Sequence, residues 1–180
     1  MAHFEAAQWV PVALPKVFAF FSDPRNLPRI MPPQMAVRTD ETLLMPPGAG
    51  SGELWEAFDL KRVAGAGSEF VFSFRALPGL PFRLRWRARI EEWVPGSYFC
   101  DVQLAGPMQS WHHRHEFRAE TRQGVVGTMI GDVVDFSVGW GWPGRLAERC
   151  FVLPAMRASF AHRQRQVESA LVGVGPAASE

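Results

Sequence analysis

Ser110-Trp111-His112-His113-Arg114-His115-Glu116-Phe117 is the stretch from which the fold can be read. In an extended strand successive side chains point to opposite faces, so Trp111, His113, His115 and Phe117 share one face while His112, Arg114, Glu116 and Arg118 share the other. The first face is aromatic and the second is charged. A polar connection around Gln123-Gly124 leads into a second alternating run, in which Thr128, Ile130, Asp132, Val134 and Phe136 interleave with Met129, Gly131, Val133 and Asp135. The two runs predict a long antiparallel hairpin within the segment from Gly106 to Pro143. Placing Phe117 opposite Thr128 sets His115 against Ile130, His113 against Asp132 and Trp111 against Val134, which keeps the large apolar side chains together. An imidazole and a carboxylate then lie side by side among aromatic rings, an unusual pair for a sheet to bury.

Working outward, the same period of two recurs in Leu54, Glu56, Phe58 and Leu60, in Phe70, Phe72 and Phe74, and in Phe82, Leu84, Trp86, Ala88 and Ile90. These are expected to be strands of one curved antiparallel sheet. In the last run the intervening positions are Arg83, Arg85, Arg87 and Arg89, so one face is apolar and the other cationic. A solvated sheet face accounts for those arginines better than a phosphate site. Val94-Pro95-Gly96-Ser97 is a turn; with Pro95 and Gly96 central, Ile90 lies opposite Asp101 and Ala88 opposite Gln103, and Phe99, Asp101 and Gln103 face the same way as Trp86.

At the start of the chain, Phe4 to Val10 alternate as a first strand ended by Pro11. Pro15 suits a first helical turn, with Val17, Phe18 and Phe21 as the apolar stripe, and Asp23-Pro24 caps a second short helix through Ile30. Met35 to Thr39 is a further candidate strand, and Pro46 to Gly52 a mobile loop. Near the end, Leu146, Cys150, Leu153, Phe160, Val167 and Leu171 recur at spacings of three, four and seven, which predicts a long amphipathic helix bent or broken near Cys150 to Leu153 by Pro154. Residues 1–172 are expected to form a single domain and residues 173–180 a flexible tail.

The 180 residues suffice for one core without metals or disulfides. A formal charge of +1 gives no bulk attraction to nucleic acid or to an anionic membrane. The two cysteines, Cys100 and Cys150, lack CxxC spacing, and no charged start precedes an apolar run, so a reduced, cytoplasmic protein is expected. No apolar stretch approaches the about 20 residues a spanning helix needs, so no stable membrane insertion is expected. Fourteen Phe and seven Trp are more ring surface than a small core requires, which is compatible with a lined cavity.

Strand, two short helices, a meander of strands and a last long helix describe an α+β helix-grip fold, in which a curved antiparallel sheet of six to seven strands wraps a C-terminal helix. At the residue level, Leu14 to Leu27 with Val17, Phe18, Phe21, Ser22, Asp23, Pro24 and Asn26 resembles the helical opening of the SRPBCC superfamily. That superfamily includes START domains, the birch-pollen-allergen fold and polyketide cyclases. Phe99-x-Asp101-x-Gln103-x-x-Gly106-Pro107, Trp111-x-His113-x-His115-x-Phe117 and Gly127-Thr128-x-x-x-Asp132-x-Val134 look like its bacterial ligand-binding and cyclase-like branch. Pro154 and Trp140-Gly141-Trp142 depart from that pattern. The resemblance implies an apolar small-molecule ligand and no cofactor.

Trp86, Phe99, Asp101, Gln103, Trp111, His113, His115, Asp132 and Phe160 are therefore the candidate ligand-binding residues. His113, with Asp132 or Asp101, is the candidate acid/base centre of a cyclase, aromatase or dehydratase, because a carboxylate beside an imidazole fixes its tautomer and raises its basicity. His-x-His is also a metal spacing, with Glu92, Asp101 or Asp132 as a third ligand, but the resemblance implies none and a hydrogen-bonded histidine pair is preferred. The chain lacks Gly-x-Ser, so no nucleophile elbow is present. Binding of a lipid-like or polycyclic molecule is the expected function; a protein-interaction module using the arginine face is the remaining class.

Overall fold

The computed structural model describes residues 1–75 and 82–173, so the expected tail lies, apart from Gly173, outside the described residues. Among the described residues seven strands form one antiparallel sheet: β1 (Ala2–Val10), β2 (Arg38–Leu43), β3 (Glu69–Phe74), β4 (Leu84–Val94), β5 (Tyr98–Ala105), β6 (Ser110–Arg122) and β7 (Val125–Ser137). Their spatial order is β1-β7-β6-β5-β4-β3-β2, a meander closed by the first strand. After β1 come helix α1 (Leu14–Phe21), a 3-10 turn (Pro24–Asn26) and the one-turn helix α2 (Leu27–Ile30). Asp23 caps that turn as expected, accepting from the backbone N–H of Arg25 at 3.1 Å.

The β6–β7 hairpin closes through Gln123 and Gly124, with φ of 50° and 79°. Two successive positive φ values make a tight two-residue turn whose twist matches the strands, and Gly124 adopts that backbone without steric cost. Arg122 therefore pairs with Val125, and every pairing behind it moves by two residues from the expected register. Phe117 stands opposite Ile130, His115 opposite Asp132, His113 opposite Val134 and Trp111 opposite Phe136. A two-residue slip preserves which face each side chain occupies, so the aromatic face survives while its partners change.

At the β4–β5 connection Val94 pairs with Tyr98, so three residues form the turn, and a bulge between Ile90 and Glu92 restores the expected pairs Ile90–Asp101 and Ala88–Gln103. The segment from Leu54 to Leu60 is not a strand. Helix α3 (Glu53–Glu56) turns there so that Trp55 stacks on Trp93 at 5.8 Å and Phe58 meets both rings. Burying two large rings three residues apart requires helical spacing, which outweighs the local alternation. Met35 closes a 3-10 turn (Pro33–Met35), and β2 begins only at Arg38.

The C-terminal run comprises α4 (Gly141–Ala147), a π-helical turn (Glu148–Val152) and α5 (Leu153–Val172). Pro154 occupies the first turn of α5, where the π turn absorbs its missing hydrogen bond, so the expected break is a bulge. Leu153 and Phe160 pack with Phe4, Val134, Phe136 and Met156 on the concave face, whereas Leu146 and Cys150 point to solvent, against the expected stripe. A π turn advances each residue by a smaller angle than an α turn, which rotates that first half out of phase. Among the described residues no helix is long and apolar enough to cross a membrane.

The core has two halves. Around Phe18, which is fully buried, the rings of Phe58, Trp93, Phe99 and Phe117 lie with centroids 5.1 to 6.2 Å away. The second half lies beneath α5. On the convex face Arg87 and Arg89 grip the two oxygens of Glu69 at 2.6 Å each, Arg85 meets Glu41 at 2.9 Å and Arg83 donates to the Ala36 and Ser73 carbonyls. Three of the four arginines of the cationic stripe thus form cross-strand ion pairs, and Arg83 ties down backbone carbonyls.

Candidate functional site

Three neighbouring strands deliver two aspartates and two histidines to one place on the concave face. Asp101 of β5 pairs directly with His113 of β6, and His115, two residues on, pairs with Asp132 of β7. His113 Nε2 lies 2.9 Å from Asp132 Oδ1, and His115 Nδ1 lies 2.9 Å from the same oxygen. On the other side of both rings, Asp101 Oδ2 stands 3.2 Å from His115 Nε2 and 3.5 Å from His113 Nδ1. Two imidazoles, with ring centroids 3.8 Å apart, therefore bridge two carboxylates.

Arg163 completes the group. Its Nη2 lies 3.4 Å from Asp132 Oδ1 and 3.3 Å from His115 Nδ1, and its guanidinium carbon lies 5.1 Å from the Phe21 ring centre and 5.3 Å from that of Phe160. Sequence reasoning missed Arg163. The signal was available: Met156, Phe160, Arg163 and Val167 recur at helical spacing, so the arginine occupies the stripe that must face the sheet.

Burial raises the cost of ionising every member, yet the charges arrange themselves. For Asp132 burial pushes the carboxyl up, but the Arg163 charge and the bonds from both histidines hold it well below the usual carboxylate range. Asp101 is likewise lowered against its burial, chiefly by its bond from His115. His115 is raised: burial opposes its charge, and the bonds to Asp101 and Asp132 overcome that. His113 is lowered by burial first and by the His115 charge second, although Asp132 and Asp101 pull the other way. Folding thus favours the charged form of His115 and the neutral form of His113. The carboxylate at Asp132 makes Nε2 the protonated nitrogen of His113, so its Nδ1 lone pair points toward Asp101.

The other expected residues divide. Trp86 and Trp111 meet edge to face at 4.9 Å, Trp111 also borders His113 at 5.9 Å, and Phe160 meets His113 at 5.8 Å. Phe99 lies 4.4 Å from His115 on the filled side, beside Phe18. Gln103 is engaged locally: its amide donates to the Met108 carbonyl at 2.7 Å and its oxygen accepts from the Met108 N–H at 3.2 Å, so it ties down the β5–β6 connection.

Exposure separates the two ends of the concave face. Side chains of His113, His115, Asp132 and Arg163 are 7 to 8% exposed, whereas Asp101 retains 20%. Phe74, Trp86, Trp111 and Phe160 are all half-buried, so the rings at this end keep part of their surface accessible. The Pro46 to Gly52 loop, expected to be mobile, packs at the opposite end, where Pro46 and Pro47 abut Gly65 and a side chain on Gly50 would overlap the Trp55 indole. The turn at Pro33–Met35 borders the lined end instead, since Arg75 N–H donates to the Met35 carbonyl and Met35 reaches Ser159 of α5. A surface groove of about 600 Å³ along Glu41, Glu69, Arg85 and Arg87 shares no residue with the buried cluster.

No protein-family model matches this sequence, and no curated protein is similar to it at the sequence level. Solved structures are. TTHA0849 from Thermus thermophilus superimposes with a TM-score of 0.64 at 13% identity, over 97% of this chain and 99% of that one. The ZhuI aromatase/cyclase from Streptomyces sp. R1128 gives 0.62 at 13% identity, over 97% and 98%. A START superfamily protein from Mycobacterium smegmatis gives 0.58 at 10% identity, over 94% and 97%. The chain has the helix-grip fold of START and aromatase/cyclase proteins. At such identities the likeness is one of fold, and it agrees with the SRPBCC resemblance seen in the helical opening and the three strand motifs.

Proposed function

We propose that this helix-grip domain encloses an apolar, lipid-like or polycyclic small molecule at the lined end of its concave face. The observation that carries the reading is the gradient at Asp101: the polar network is buried except for this carboxylate, which neighbours Trp111 at the end where Trp86, Trp111 and Phe160 are half-buried. Rings supply contact area there, and Asp101 with His113 accepts from and so orients a hydroxyl. The free thiols and the near-neutral charge fit a cytoplasmic protein with no nucleic-acid partner. Fluorescence titration with an environment-sensitive apolar dye tests it. One saturable site per chain, displaced by polycyclic phenols or fatty acids and weakened by Trp111→Ala, is expected; binding that is unsaturable, or unchanged in Trp111→Ala, overturns it.

A second reading is favoured by His113 Nδ1, which is aimed at the reachable carboxylate rather than into the packing. In a cyclase, aromatase or dehydratase, Nδ1 takes a proton from an acidic C–H or from a hydroxyl, while Asp132 holds the ring in position. His113→Ala that binds the dye like the wild type and loses turnover of a polyketide-like substrate supports this reading. Turnover retained in that variant refutes it.

A further inference from the structure

We propose that Asp101, His113 and His115 hold a divalent transition-metal ion, with Asp132 as the outer carboxylate that orients both histidines. Asp101, His113 and His115 each offer an atom within 4.8 Å of the others. Of the separations from Asp101 Oδ2, 3.2 Å falls within the about 3.0 to 3.4 Å between neighbouring ligands around an ion with bonds of about 2.1 Å, and 3.5 Å lies just above it. A coordinating imidazole needs its second nitrogen tied to an acceptor, which fixes the tautomer and turns the lone pair to the metal. Both rings meet that condition through one atom, Asp132 Oδ1, at 2.9 Å from each. Once the ion displaces the proton that His115 Nε2 shares with Asp101, both rings donate to Asp132, and His113 Nδ1, His115 Nε2 and Asp101 Oδ2 converge as three acceptors. A cation satisfies all three.

Charge agrees. With neutral imidazoles, Asp101, Asp132 and Arg163 sum to one negative charge, so a divalent ion leaves one positive charge for an anionic oxygen at an open position. That position lies on the Asp101 side, the reachable edge of the cluster. Arg163 stands beside His115 Nδ1, across the ring from the ligating nitrogen, where it neutralises Asp132 rather than occupying the metal position. Two nitrogens and one carboxylate with room for further ligands suit Zn(II) or Fe(II).

Calorimetric titration of chelator-treated protein with Zn(II) alone, without any organic ligand, tests this independently of the apolar-ligand reading. One ion per chain is expected, with affinity about 10 to 100-fold weaker in Asp132→Asn and binding lost in Asp101→Asn and His113→Ala. His3, which contacts Asp135 and Glu5 on the surface, is the control, and His3→Ala binds like the wild type. Should His113→Ala fail to fold by circular dichroism, the isosteric Asp101→Asn decides. No Zn(II) site in the wild type, a site undiminished in Asp101→Asn, or one lost only in His3→Ala overturns the proposal.

Discussion

Asp132 stands opposite His115 across the β6–β7 ladder, with 2.9 Å between Oδ1 and Nδ1, yet the same oxygen also reaches His113 two residues along. Cross-strand and diagonal contacts through a single atom make this carboxylate the organiser of the cluster. The other members are placed relative to it.

Removing the arginine should expose that dependence. Arg163 is buried against Asp132, and deleting one partner of a buried pair strands the other charge. Arg163→Ala is expected to destabilise the fold by about 3 to 5 kcal/mol in urea unfolding. A loss under about 1 kcal/mol would mean that Asp132 is balanced by the histidines alone.

The two halves of the core should respond differently to the same truncation. Phe18 is fully buried among four rings, so Phe18→Ala is expected to cost about 3 to 5 kcal/mol. Phe160 is half-buried at the lined end, and Phe160→Ala should cost less than about 3 kcal/mol. Equal losses by chemical denaturation would show the lined end to be as closely packed as the Phe18 half.

Thermal melting of the metal-free protein against pH should be asymmetric. His115, raised on folding, stabilises below about pH 6.5 and loses that contribution as pH rises through its folded value. His113, lowered on folding, acts in the opposite sense and begins to oppose folding as pH falls below about 6.5. Asp101 and Asp132, both lowered, contribute fully above about pH 4 and lose that contribution as pH falls toward their folded values. The expected profile is shallow between pH about 8 and 5 and steep below about 4, and Asp132→Asn flattens the acid limb. An acid limb unchanged in that variant would assign acid unfolding to other carboxylates.

Local alternation alone determined which residues share the concave face, because side-chain direction in a strand depends only on parity along the chain. Trp86, Asp101, Trp111, His113, His115 and Asp132 were readable in this way, as was the helix that covers them, whose spacing puts Phe160 and Val167 on one stripe. The SRPBCC-like opening and the order of elements were legible for the same reason: each is written in contiguous residues. Tertiary structure decided who touches whom. The Gln123-Gly124 turn moved the β6–β7 register by two, and parity carries no information about even-numbered slips. Trp55 and Phe58 took a helical turn because Trp93, far along the chain, offered its ring. Arg163 entered the cluster from α5, and with the two carboxylates it set the balance by which His115 shifts up and His113 down. That division is set by burial and by distances of about 3 Å between groups on three strands and a helix, and separations across elements exist only once the chain has packed.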